Sequence, residues 1–206
     1  MLALVVASVT PLTPAIKAFV LRSANGGDLP PFAPGAHLSV QIAEANGQRA
    51  YSLVRPHDGA GSYEIAVLHE PEGSGGSAWM HGLAPGAVLA AHPPRNDFAL
   101  HKGDKGGRQP LLVAGGIGIT PLLCMARALA AEGRGFDFFY ATRSEETTAY
   151  LDEVRALGGT VVHDGGDPAR GLDLRALLAA PQGGRHLHVC GPRGMVQAVV
   201  DTARAQ

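Results

Sequence analysis

Val113-Ala-Gly-Gly-Ile-Gly-Ile-Thr-Pro121 joins a continuous apolar run, Leu111 to Ala114, to a helical pattern running from Pro121 to Glu132. A buried strand, a glycine turn and a helix in direct succession open a parallel α/β unit, because a parallel neighbour can be reached only by a crossover over one sheet face. Pro121 suits the first helical turn, where a missing N–H costs nothing. The glycines let backbone N–H groups approach an anion, and a helix start adds its positive dipole end. A pyrophosphate fits such a turn, and a tight turn with no ligand uses the same residues.

Downstream the alternation continues. Strands are expected at Asp137 to Ala141, Thr160 to His163 and His186 to Cys190, and helices at Thr147 to Ala156, Leu172 to Leu178 and Gly194 to Arg204. The second half is therefore α/β with a parallel sheet and right-handed crossovers. Ligands of such sheets bind outside the carboxyl ends of the strands. The turn Cys190-Gly191-Pro192 belongs to that same edge, so two turns are expected to face one crevice.

Upstream the period changes. Short β-type runs (Leu2 to Val9, Ile16 to Leu21, His37 to Ile42, Arg49 to Val54 and Tyr63 to Leu68) are punctuated by Pro and Gly about every eight to twelve residues. That spacing predicts a small antiparallel barrel with one short helix, Ser77 to Gly82, capped by Ser77. Strand alternation puts Arg49 and Tyr51 on one face and Ala50 and Ser52 on the other. The polar stretch His101 to Pro110 reads as a linker, giving a barrel domain at 1–102 and an α/β domain at 103–206.

Composition removes several function classes. Lys+Arg 17 against Asp+Glu 18 leaves a net charge of -1, with no basic stripe for nucleic acid or an anionic membrane. The most apolar stretch, Leu111 to Met125, is broken by glycines and Pro121 and is shorter than the roughly 20 residues that span a bilayer. Met1 to Thr10 lacks the cationic start of a signal peptide, and two cysteines, Cys124 and Cys190, make no disulfide framework. A cytoplasmic location is expected. Two cysteines also cannot supply the four thiolates of an ordinary [2Fe–2S] site. His186 and His188 share a strand face, but no third ligand lies nearby in sequence, and no metal site is assigned.

In this order, Arg49-Ala-Tyr-Ser52, Gly73-Ser-Gly-Gly-Ser77, the glycine turn at 115–121 and Cys190-Gly-Pro192 resemble the ferredoxin-NADP reductase superfamily. The resemblance covers nearly the whole sequence. Pro34-Gly-Ala-His37, Gly75-Gly-Ser77 and Pro94-Arg-Asn-Asp-Phe98 are most similar to its phthalate dioxygenase reductase and vanillate demethylase reductase group. The resemblance implies a flavin-binding barrel followed by an NAD-binding domain, FMN in preference to FAD, and NADH in preference to NADPH. It also implies an iron–sulfur protein or oxygenase component as electron acceptor, the group's own C-terminal [2Fe–2S] domain being missing from this sequence.

Carried over residue by residue, Arg49 would hold the flavin phosphate with the amides of Gly75, Gly76 and Ser77, while Tyr51 would pack on the isoalloxazine. Ser52 would approach flavin N5, and Ala50, Val67 and Leu68 would belong to the cofactor-binding set. Gly115, Gly116, Ile117 and Gly118 would leave room for the pyrophosphate, and Thr120 would touch the flavin. Cys190, Gly191 and Pro192 would flank the hydride-transfer point, Cys190 by shape and polarizability rather than as a nucleophile. Thr142 and Arg143 stand where adenosine-ribose selectivity is decided. The group usually has an Arg where this sequence has Ser74 and a Lys where it has Leu68, which leaves Arg49 as the main phosphate cation. No aromatic residue follows Tyr150, so a flavin-stacking ring from the C-terminal side is missing. The expected activity is a flavin-dependent NADH:acceptor oxidoreductase, and the other reading is a flavin-free domain that keeps the fold for partner binding.

Overall fold

The structure is a computed structural model that describes residues 1–42, 47–57, 59, 61–101, 109–179 and 185–205. The chain divides into two compact units, Met1–Ala99 and Leu100–Gln206. The expected boundary at 102/103 and most of the expected linker, residues 102–108, lie outside the described residues.

Unit 1 contains β1 (Leu2–Thr13), β2 (Ile16–Ser23), β3 (His37–Ile42), β4 (Gly47–Ser52), β5 (Ser62–Leu68), α1 (Gly76–Gly82) and β6 (Val88–Ala91). The strands pair antiparallel in the order β4-β3-β6-β1-β2-β5. Just past β4, Leu53 bridges Ile65 of β5, and the Val54 N–H donates to the Glu64 carbonyl at 2.9 Å. The two outer strands thus meet and the sheet closes on itself, which removes open edges. On β3, Leu38, Val40 and Ile42 are buried while His37, Ser39 and Gln41 are half-buried, as a period of two requires. Their inward side chains join Leu4, Val6, Phe19, Leu21, Leu53 and Ile65 in one core. β5 breaks the alternation: Tyr63 to Val67 are all buried, where α1 packs on this strand.

Ser77, expected to cap α1, lies inside it. Gly75 is the cap, at φ +87, and the Ser77 hydroxyl instead accepts the Glu70 N–H at 3.0 Å. A left-handed cap position favours glycine over serine, which explains the shift. At the other end of α1, His81 Nε2 donates to the Val67 carbonyl at 2.9 Å. Burial pushes this imidazole below its ordinary 6.5, and Lys17 and His69 push the same way against the bond to Val67. The unfolded chain therefore takes up this proton first. The associated stability is present above pH 6.5 and is lost as pH falls through the lowered value. His81→Gln is expected to show a smaller loss of denaturant midpoint than the parent between about pH 7.5 and about pH 5. Equal losses would refute this.

Unit 2 contains β7 (Leu111–Gly115), α2 (Ile119–Ala131), β8 (Asp137–Thr142), α3 (Leu151–Ala156), β9 (Thr160–His163), α4 (Leu174–Leu178), β10 (Leu187–Cys190) and α5 (Arg193–Arg204). The four strands are parallel in the order β10-β7-β8-β9. β7 is buried throughout, as a strand covered on both faces must be. Leu111 and Val113 pack with Leu178 and Val199 of α4 and α5, while α2, buried from Ile119 to Ala126, packs on β7 and β10.

The helix expected at Thr147 to Ala156 is broken. Glu145–Thr147 forms a 3-10 turn, Thr148 is extended, Tyr150 stands at φ 58, and only Leu151–Ala156 is α-helical. The turn starts early because Ser144 and Thr147 cap each other, an alternative to helix that Ser and Thr offer locally. Arg127 lies 5.7 Å over the Tyr150 ring and forks onto the Glu153 carboxylate, with both contacts at 2.5 Å. Tertiary contacts thus hold a non-glycine residue in a sparsely populated conformation.

Candidate functional site

In unit 1, β4 carries Arg49 to the start of α1. Its Nη1 donates to the Gln48 carbonyl at 2.8 Å and its Nη2 donates to the Ser74 hydroxyl. A Cβ on Gly76 would stand 2.8 Å from Arg49 Cγ and 3.2 Å from its Nε. Glycine is therefore needed at 76 for the arginine to lie across the helix start. Among the described residues no side chain caps α1, so its first N–H groups remain for solvent or a ligand beside the guanidinium. Arg49, Ser74, Gly75, Gly76 and Ser77 are thus brought together.

Tyr51 follows on the same face, half-buried against the barrel core. Burial pushes its phenol up to about 12, with Arg49 lowering it and Glu70 raising it, so the hydroxyl stays neutral. Ser52 ends β4 opposite His37, half-buried, with no hydrogen-bond partner for its hydroxyl among the described residues. Ala50 is exposed, Leu68 is half-buried, and Val67 is buried in the core with its carbonyl engaged by His81.

In unit 2, β7 and β10 are neighbours although first and last in chain order, so the strand order reverses between them. Their carboxyl ends carry the glycine turn and Cys190-Gly191-Pro192. Gly116 to Gly118 form a 3-10 turn that leads into α2, whose start no side chain caps among the described residues. The two turns touch. A Cβ on Gly118 would lie 2.3 Å from the Cys190 carbonyl oxygen, and one on Gly191 would lie 2.9 Å from Gly115 Cα. A Cβ on Gly115 would meet Met195 Sδ at 2.6 Å and Pro192 Cδ at 2.9 Å. Gly115 and Gly118 thus make room for the neighbouring turn. Gly116, at φ +51 with nothing within 4 Å of its Cβ position, is the open one. This refines the expectation that all three leave space for a pyrophosphate.

Thr120 donates to the Ile117 carbonyl at 3.0 Å and ties the turn to the first turn of α2. Burial raises the Cys190 thiol above its ordinary value, which keeps it protonated and un-nucleophilic. Thr142 is buried at the end of β8, and Arg143 beyond it is exposed. Sequence reasoning missed Tyr140, whose hydroxyl donates to the Gly116 carbonyl at 3.1 Å and braces the open glycine; a lone strand tyrosine carries no motif. It also missed the partner of the histidine pair. His101 stacks on His186 with centroids 4.3 Å apart, and its N–H donates to His188 Nε2 at 3.1 Å, which occupies that nitrogen. Among the described residues no helix is long and apolar enough to cross a membrane.

No model of a protein family matches the chain. It is similar to the vanillate O-demethylase oxidoreductase of Pseudomonas putida, with 41% identity over 188 residues, covering 89% of this chain and 58% of the relative. The phthalate dioxygenase reductase of Burkholderia cepacia is 38% identical over 195 residues, covering 92% and 58%. The chain thus spans about 58% of the length of these curated relatives. A solved phthalate dioxygenase reductase, described as a modular structure for electron transfer from pyridine nucleotides to [2Fe–2S], matches with TM-score 0.90 and 37% identity, covering 98% of this chain and 64% of that one. By sequence and by fold, the chain is a homologue of the phthalate dioxygenase reductase and vanillate demethylase reductase group and has its ferredoxin reductase-like fold.

Proposed function

We propose that unit 1 binds FMN and unit 2 binds NADH, that the chain moves a hydride from NADH to FMN, and that electrons then leave singly to an iron–sulfur partner of an oxygenase or demethylase system. The observation that carries this reading is the Arg49 guanidinium lying across Gly76 at the uncapped start of α1. A fixed cation beside unused amides suits a terminal phosphate dianion. FMN ends in such a group, whereas the internal diphosphate of FAD spreads its charge, so FMN is the better fit. The bound flavin supplies the conversion of a two-electron donor into a one-electron donor.

The protein's own residues bind and orient. Arg49 and the amides of Gly75, Gly76 and Ser77 hold the phosphate, while Tyr51, kept neutral, covers the ring system; Val67, buried in the barrel core with its carbonyl engaged by His81, supports the strand rather than touching the flavin. Ser52 offers a half-buried hydroxyl with no competing partner among the described residues, suited to flavin N5. In unit 2, Gly116 and Ile117 give a pyrophosphate access to the start of α2, and Thr120 keeps that turn shut. Cys190, Gly191 and Pro192 shape the nicotinamide end, with Thr142 and Arg143 at the ribose end. The two cysteines of the sequence are Cys124, buried within α2, and Cys190 at the end of β10. They cannot form a four-thiolate site, so the one-electron acceptor uses thiolates from outside this sequence. The comparisons with named oxygenase reductases support the partner class.

With FMN added, the protein is expected to show flavin absorbance after desalting and to reduce ferricyanide with NADH. No flavin retention and no ferricyanide reduction at saturating FMN and NADH would overturn the reading in favour of a flavin-free binding domain.

A further inference from the structure

Thr142 and Thr148 are both buried, and their hydroxyls form a chain whose proton directions are determined. Thr148 donates its single proton to the Ser144 carbonyl at 2.7 Å. In its 2.7 Å contact with Thr142, Thr148 is therefore the acceptor and Thr142 the donor. With that proton committed, Thr142 can meet His163 Nδ1, 2.9 Å away, only as an acceptor. Nδ1 must then carry the ring proton, and the neutral imidazole has its lone pair on Nε2. Nε2 has no hydrogen-bond partner among the described residues and is not among the buried atoms lacking one, so it reaches solvent.

His163 is the last residue of β9 and pairs in register with Thr142, the last residue of β8. In a sheet of this kind the ribose of a dinucleotide is met at the end of the second strand, where a carboxylate ordinarily accepts from its hydroxyls. Here that strand ends in Thr142, whose hydroxyl is committed internally, followed by Arg143 and Ser144. Two exposed carboxylates follow directly on the 3-10 turn, Glu145, 3.8 Å from Arg155, and Glu146, while Asp164 after β9 accepts the Gly166 N–H at 2.7 Å within its own loop. Beside these carboxylates, the edge offers a ribose hydroxyl an imidazole acceptor whose tautomer the buried threonines fix.

Building on the NADH reading above, we propose that His163 Nε2 accepts a hydrogen bond from a ribose hydroxyl in the adenosine half of NADH, making His163 a specificity-determining residue. Thr142, Thr148 and the Ser144 carbonyl act as positioning groups that hold its tautomer. A lone pair in this place opposes the oxygens of a 2′-phosphate, which have no proton to give. Arg143, exposed and without an ion-pair partner among the described residues, pulls the other way. Removing the imidazole acceptor shifts the balance toward the arginine's attraction for a 2′-phosphate.

Calorimetric titration of the whole chain and of His163→Leu with ADP-ribose, 2′-phospho-ADP-ribose and nicotinamide mononucleotide tests this. His163→Leu is expected to weaken ADP-ribose about 5- to 10-fold, the scale of one hydrogen bond. The ratio of 2′-phospho-ADP-ribose to ADP-ribose affinity should rise, and the mononucleotide, which lacks adenosine, should respond by less than about twofold. Equal weakening of ADP-ribose and the mononucleotide, or no change in either, would overturn the assignment. Should the variant not fold, nitrogen NMR of the parent decides: His163 is expected in the Nδ1–H form, with its Nε2 resonance moving on addition of ADP-ribose. An Nε2–H tautomer, or an unmoved resonance at saturation, rejects the proposal. If the parent binds no ADP-ribose at all, the NADH reading itself fails. If it binds and His163→Leu binds equally, only this inference falls.

Discussion

Arg49→Ala is expected to lower FMN affinity by about 10- to 100-fold, so that the desalted protein loses the flavin its parent retains. The range corresponds to about 1.5–3 kcal/mol for hydrogen bonds to a charged group. Arg49 is the one cation that β4 delivers to the start of α1. Ser74 accepts from Arg49, so it orients the guanidinium without adding charge. Ser74→Ala should therefore cost far less than Arg49→Ala, and Arg49→Lys should restore only part of the loss, because an ammonium cannot match the two-pronged geometry of a guanidinium. Fluorescence titration of apoprotein with FMN measures all three. Arg49→Ala with parental affinity would refute the assignment of the phosphate to this place.

The architecture was legible because its signals are periodic or stereochemical. Alternation along His37 to Ile42, the all-apolar Leu111 to Ala114 and the glycine turn after it each have one physical solution, and among the described residues six antiparallel strands are followed by four parallel ones. Local boundaries were less legible. Ser77 has the chemistry of a cap, but Gly75 takes the position because the backbone there is left-handed. Thr147 to Ala156 has helical composition, yet the Ser144–Thr147 capping pair and the contacts of Arg127 with Tyr150 and Glu153 split it. Such long-range contacts leave no trace in local pattern. The same holds at the site: Arg49 and Gly76 are motif residues, whereas Tyr140 and the chain Thr148–Thr142–His163 become visible only when separate strands are laid side by side.

Gly118→Ala is expected to be the most damaging single-methyl addition in unit 2. At φ −63 the backbone of Gly118 suits any residue, so no conformational penalty operates there. The obstacle is steric. The new Cβ would lie 2.3 Å from the Cys190 carbonyl oxygen, 2.4 Å from its carbon and 2.6 Å from the Gly191 nitrogen. All three are backbone atoms at the end of β10, and none can rotate away as a side-chain tip would. The two turns must separate, which disturbs the β7–β10 edge and exposes buried groups of α2. Overpacking at a side chain costs about 1–3 kcal/mol, and a backbone obstacle should reach or exceed the top of that range, lowering the thermal midpoint by roughly 10 °C or more. Gly116→Ala is the control with opposite physics: its φ of +51 is strained for alanine, but nothing lies within 4 Å of the Cβ position. Its cost should be limited to about 1 kcal/mol of backbone strain, while a methyl at the open glycine should obstruct dinucleotide access. Melting curves combined with ADP-ribose titration separate the two cases. Gly118→Ala should lose stability first, and Gly116→Ala should lose binding with a nearly parental melting temperature. A Gly118→Ala protein as stable as its parent would mean that the glycine turn and Cys190-Gly191-Pro192 do not touch as described.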